Sequence, residues 1–175
     1  MPTSNSGADF VVTVLLCVEK EENKTTKDLQ SRSLTINMKK IFNDWHNYLK
    51  EDKQVDSNKV AKAVIFNDDL EVLLLATDNN PQFEGHWDLP GGHVMINENT
   101  IDGLIREVWE ETGLILKDPE ELYTKGTTTF YVASLPPGDI KLSSEHKDTM
   151  FATLQQLDDL LITDRYKDAI KKAYE

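Results

Sequence analysis

The period of apolar and polar positions changes several times along the chain, and each change marks an element. Phe10 to Val18 is a short apolar run rich in Val and Leu, followed by a charged stretch, which is the pattern of a buried strand. Between residues 34 and 49, apolar residues recur at Leu34, Met38, Ile41, Phe42, Trp45 and Leu49. That is the spacing of one helix face, so an amphipathic helix is predicted there. The polar stretch 50–58 reads as a linker. Val60–Phe66 and Leu70–Leu75 are two β-type runs joined by Asn67-Asp68-Asp69, a hairpin-turn composition. A turn-rich loop from Asp78 leads to Trp87-Asp88-Leu89-Pro90-Gly91-Gly92. Ile101, Leu104, Ile105 and Val108 then fall at i, i+3, i+4 and i+7, which predicts a helix with Asn99 as its N-cap and Gly113 as its left-handed end. Strands are expected around 127–133 and 149–153, separated by Pro136-Pro137-Gly138, with a last helix from Leu157 to the end. Strands and helices mix without regular βαβ alternation, which favours an α+β arrangement with a mixed sheet.

Composition bounds what these elements can build. A chain of 175 residues, 39% hydrophobic and 29% charged, suits one packed domain with extra elements and excludes global disorder. Residues 1–58 are too few and too polar for a separate core. They are expected to form a strand–helix extension that packs on a main domain of residues 59–175 or makes a homodimer contact. Cys17 stands alone, which fits a reducing, cytoplasmic compartment. The run at 10–18 is far short of the ~20 residues a membrane span needs. It also lacks a preceding cationic segment, so neither membrane insertion nor a signal peptide is expected. A net charge of −12 argues against broad nucleic-acid binding, which relies on Lys and Arg to neutralise phosphates.

The chemistry concentrates on the helix predicted after Asn99. Glu107, Glu110 and Glu111 lie at i, i+3 and i+4, on one side of that helix. Like charges so spaced oppose helix formation by a few tenths of a kcal/mol per pair, so the patch calls for a counter-charge. All-oxygen ligands suit a hard cation such as Mg²⁺, and no Cys/His pair has the spacing of a zinc site. From the carboxylates alone, a solvated acidic face is an equally good account. Gly103 in the helix interior costs about 1 kcal/mol against Ala. His86, His93 and His146 read as polar loop residues, and Trp87 and Trp109 as packing residues.

The segment Gly92 to Leu114 resembles the signature of the Nudix hydrolase superfamily, G-x5-E-x7-R-E-U-x-E-E-x-G-U with U aliphatic. It matches at Gly92, Glu98, Arg106, Glu107, Val108, Glu110, Glu111, Gly113 and Leu114. The fixed identities would coincide at a given start roughly once in 10⁹ at average residue frequencies. The resemblance covers about residues 59–175 and implies a Nudix fold, an α/β/α sandwich with a mixed β-sheet. It also implies Mg²⁺- or Mn²⁺-dependent hydrolysis of a diphosphate linkage in a nucleotide-type small molecule. By position, Glu107 and Glu111 become the principal metal ligands, with Glu110 in support and the carbonyl of Gly91 completing the set. Gly92, Glu98 and Arg106 become structural, the last two as an ion pair fixing the loop against the helix. Glu107 is one candidate for the base that activates water, and Glu145 in Leu142-Ser143-Ser144-Glu145-His146 is the other. Tyr131 stands near where some family members that hydrolyse dinucleoside polyphosphates carry a Tyr. Two alternatives have other discriminating features. A non-catalytic nucleotide-binding module usually lacks signature glutamates, which are intact here, and an RNA 5′-end pyrophosphohydrolase is disfavoured by the acidic balance.

Overall fold

The computed structural model describes residues 55–77 and 85–175, with the side chains of 55–57 excepted. The strand expected at 10–18, Cys17, the helix expected at 34–49 and most of the loop from Asp78 therefore lie outside the described residues.

The first strand, β1, runs Val55–Phe66 and begins inside the stretch read as linker. Sheet hydrogen bonds are made by the backbone, so polar side chains do not prevent it from starting there. It turns through Asn67-Asp68-Asp69-Leu70 into β2, Val72–Thr77. The Asn67 side-chain oxygen accepts from the backbone N–H of Asp69 (3.1 Å) and Glu71 (2.8 Å). Leu70 adopts a left-handed φ of 60° and is 63% exposed, so it belongs to the turn and not, as its apolar character predicted, to the strand.

Two short strands follow, β3 (Trp87–Asp88) and β4 (His93–Met95), and then helix α1, Thr100–Thr112. Asn99 caps α1 by accepting from the N–H of Ile101, and Gly113 ends it at φ 72°. The sheet continues with β5 (Glu120–Lys125), β6 (Thr128–Ser134) and β7 (His146–Ala152). Its strand order is β3-β2-β1-β6-β5, with β4 also on β1 and β7 on β2. The β1–β6 pair is parallel and the pairs β1–β2, β2–β3, β2–β7 and β5–β6 are antiparallel, so the sheet is mixed as expected.

The last helix is shorter than its sequence pattern predicted. A 3₁₀ turn, Leu154–Asp158, precedes α2, Asp164–Ala173. Between them Ile162 bridges in parallel to Trp87, which holds the chain extended up to the N-cap Thr163.

Side chains alternate across the strands, and that alternation builds two cores. Val64, Val72, Leu74 and Phe130 pack with Leu157, Ile162, Ala169 and Ile170 on the α2 side. Ile65, Leu73 and Leu75 are equally buried and point the other way, the side on which α1 buries Leu104, Ile105 and Val108. Helices thus cover both faces of one sheet, which is the α/β/α arrangement. Tyr131 is 2% exposed in β6, so it is a core residue.

Candidate functional site

The site forms where the β3–β4 turn meets α1. Pro90 and Gly92 accept backbone hydrogen bonds from Ala63 and Ala61 of β1, both at 2.9 Å, so the turn lies flat along the central strand. Contact this close requires glycine. A Cβ on Gly91 would lie 2.3 Å from the Ala61 carbonyl oxygen, and its φ of +117° disfavours any side chain. A Cβ on Gly92 would lie 2.5 Å from Glu107 Oε2, so that carboxylate rests directly on the Gly92 backbone.

Glu111 reaches the same turn one helical turn later. Its Oε2 accepts from the Gly91 N–H at 2.7 Å, and its Oε1 lies 3.1 Å from His146 Nε2. Glu107 and Glu111 therefore converge on Gly91–Gly92. Glu110 Oε2 lies 3.5 Å from Arg106 Nη1, the nitrogen that also holds Glu107. Among the described residues no three acidic or histidine side chains form a ready-made metal cage. What the turn offers is two carboxylates and the Gly91 carbonyl, all oxygen. That set fits a hard dication which takes its remaining ligands from water and substrate phosphate.

Arg106, 2% exposed, organises the acidic side. Its Nε and Nη2 engage both oxygens of Glu98 at 2.9 and 3.0 Å, and Nη2 also donates to the His93 carbonyl. Its Nη1 holds Glu107 Oε1 at 2.7 Å. Glu98 in turn accepts from the Met95 N–H at 2.9 Å. A Cβ on Gly103 would meet Glu98 Oε2 at 3.0 Å, so glycine at that helix position makes room for the pair. Burial raises the Glu107 carboxyl above its ordinary range, Arg106 opposes this, and the charges of Glu110 and Glu111 add to the rise.

Two residues of the site were not legible in sequence. Lys62 of β1 reaches the turn from the α2 side, donating to the Leu89 and Gly91 carbonyls beside the Tyr166 ring. His146 reads as a loop residue but opens β7, with its side chain 7% exposed. Its Nδ1 lies 3.3 Å from the Ala76 carbonyl oxygen and its Nε2 faces Glu111. The pairing of β7 with β2 delivers it there, with His146 opposite Thr77. Glu145, one residue earlier, is exposed, and its backbone N–H donates to Ser143 Oγ.

Two predictions arise here. Gly92→Ala is expected to displace the flexible Glu107 carboxylate, lowering metal affinity while moving the melting temperature little. Gly91→Ala meets backbone and should cost several kcal/mol. Equal melting losses in the two variants would contradict this. The second concerns His146. Burial draws its pKa down, but the hydrogen bond and charge of Glu111 lift it to a net rise. Its contribution to stability is therefore complete below the unfolded value of about 6.5 and is lost as pH rises through the folded value. Melting of metal-free protein should fall over that window, and His146→Gln should flatten the fall; an unchanged slope would count against it.

The family model for the NUDIX domain matches residues 57–172, and the chain belongs to the Nudix family. An ADP-ribose pyrophosphatase of Methanocaldococcus jannaschii is 31% identical over 108 residues, 56% of this chain and 63% of that protein. The chain thus spans less than two thirds of that relative's length. Among solved structures, a MutT protein of Methanosarcina mazei Go1 is 30% identical with a TM-score of 0.53, covering 66% of this chain and 91% of that one. An Ap4A hydrolase of C. elegans, solved as a binary complex, is 27% identical with a TM-score of 0.54, covering 65% and 94%. No helix among the described residues is long and apolar enough to cross a membrane.

Proposed function

We propose that this chain is a hydrolase that cleaves a diphosphate linkage in a nucleoside diphosphate joined to a further moiety, with Mg²⁺ or Mn²⁺ as cofactor. The observation that carries the reading is the convergence of Glu107 and Glu111 on the Gly91–Gly92 backbone. Glu107, Glu111 and the Gly91 carbonyl would hold the ion, with Glu110 in support. When bound, the ion would offset charge on the diphosphate and make a water molecule nucleophilic at neutral pH.

The chain's own residues prepare that step. Arg106 fixes one oxygen of Glu107. The Gly91 N–H and His146 fix the two oxygens of Glu111. Glu107, with its pKa pushed up by burial, is suited to take a proton from the attacking water; Glu145 is the second candidate base. The relatives named for ADP-ribose and Ap4A support a nucleotide-type small molecule as substrate. The lone Cys17 supports a cytoplasmic location.

The test is incubation with a panel of nucleoside diphosphate derivatives and dinucleoside polyphosphates in Mg²⁺, with products identified by mass. Release of phosphate-ended products supports the reading. Binding without turnover across the panel would replace it with a non-catalytic module.

A further inference from the structure

The Gly91 carbonyl already carries a cation. Lys62, 6% exposed, extends its ammonium from β1 to the Gly91 carbonyl oxygen at 2.5 Å, the Leu89 carbonyl oxygen at 2.9 Å and Asp88 Oδ2 at 3.0 Å. The Tyr166 ring of α2 closes the other side, with its centroid 5.9 Å from Nζ. The ammonium is spent on the very oxygen that the proposed metal set needs, and it stands in the field of Glu111. Burial lowers its pKa, but Asp88 and Glu111 outweigh this and raise it well above the usual lysine range, so it stays charged at any physiological pH.

Two roles are conceivable for such a lysine, positioning the turn or setting its charge, and the geometry separates them. The turn is already held without Lys62 side-chain contacts, through the Ala61 and Ala63 hydrogen bonds to Gly92 and Pro90 and through Gly91 N–H to Glu111. Its distinctive contribution is therefore the charge. We infer that Lys62 is a built-in competitor for the Gly91 carbonyl, whose charge holds down the site's affinity for a divalent ion. A dication taking the Gly91 carbonyl must share that oxygen with an ammonium of like sign, and at short range in a half-buried site this repulsion is not screened away. Asp88 moderates the effect by drawing part of the ammonium's field toward itself.

This inference rests on the metal reading above, and direct Mn²⁺ binding separates the two. Free Mn²⁺ is counted by electron paramagnetic resonance in nucleotide-free protein, alongside melting curves that confirm folding. Lys62→Met should bind Mn²⁺ about tenfold tighter than wild type, Lys62→Arg should stay close to wild type, and Asp88→Asn should bind more weakly. Equal or weaker binding by folded Lys62→Met overturns the inference, as does a gain in Lys62→Arg matching that of Lys62→Met. If Lys62→Met fails to fold, the double variant Lys62→Gln with Asp88→Asn removes both charges together. It should still bind more tightly than wild type, because Lys62 is the group in contact with Gly91, and no gain there overturns the inference. If Glu107→Gln and Glu111→Gln leave wild-type Mn²⁺ binding unchanged, it is the metal reading that fails.

Discussion

Glu107→Gln is expected to lower kcat about a thousandfold, within the span of roughly 10²–10⁴ attributed to a positioned general base, while leaving the protein folded. The amide keeps the shape of the side chain, and its oxygen can still accept from Arg106 Nη1, so the link to Glu98 survives. What is lost is the negative charge, on which both ion binding and proton abstraction depend in the proposed mechanism. Removing that charge should also help the metal-free fold. Glu107 ionises against burial and against Glu110 and Glu111, with only Arg106 opposing them. A carboxyl whose folded pKa is raised loses stability as pH rises from its ordinary value through the raised one. The Gln variant lacks that loss, so in chelator at neutral pH it should melt no lower than wild type. Steady-state kinetics at saturating Mg²⁺ and a melting curve in chelator check the two halves. Near-normal kcat would remove Glu107 as base, and the same assay on Glu145→Gln would show whether Glu145 takes the role instead.

That opposition between local stability and charge explains which parts of the site could be seen in sequence. The α1 helix was legible because its apolar face, its cap and its terminal glycine agree with one another, and three carboxylates on the other face conflict with them. The acidic side of the site lies within one helix and its preceding loop, where spacing in sequence is spacing in space. Lys62 and His146 had no such signal. Lys62 sits amid Val60, Ala61, Ala63 and Val64, and in a strand one polar residue reads as solvent-facing until a neighbouring element covers it. His146 meets Glu111 only because β7 pairs with β2, a long-range register that no local pattern encodes. The β5 strand was invisible for a related reason. Glu120–Lys125 is an edge strand with mostly exposed residues, and its charged sequence lacks the apolar alternation by which strands are read. The last helix begins later than Leu157 because the Trp87–Ile162 bridge, a long-range contact, holds the chain extended up to Thr163.

Arg106→Leu is expected to destabilise the fold by about 3–5 kcal/mol, the usual cost of removing one partner from a buried ion pair. For a chain of this size that is a fall in melting temperature of roughly 10 °C or more. The substitution strands two carboxylates. Glu98 is 7% exposed and would lose both bonds of a bidentate pair, keeping only the Met95 N–H. Glu107, 19% exposed, would lose the only opposite charge that an ion pair gives it among the described residues. Leucine fills much of the volume but satisfies none of these oxygens or the His93 carbonyl. Arg106→Lys tests whether charge alone suffices. An ammonium cannot span Glu98, Glu107 and the His93 carbonyl with one planar fork, so the loss should be intermediate, about 1–3 kcal/mol for the missing charge-assisted bonds. Pairing Arg106→Leu with Glu98→Leu should recover much of the stability, since both buried charges leave together. The double variant should nevertheless stay catalytically weak, because Glu107 remains without the guanidinium that orients it. Denaturant unfolding of the two single variants and the double variant closes this cycle. Additive losses in it would mean that Glu98 and Arg106 act independently, and that the loop is held to α1 by backbone contacts alone.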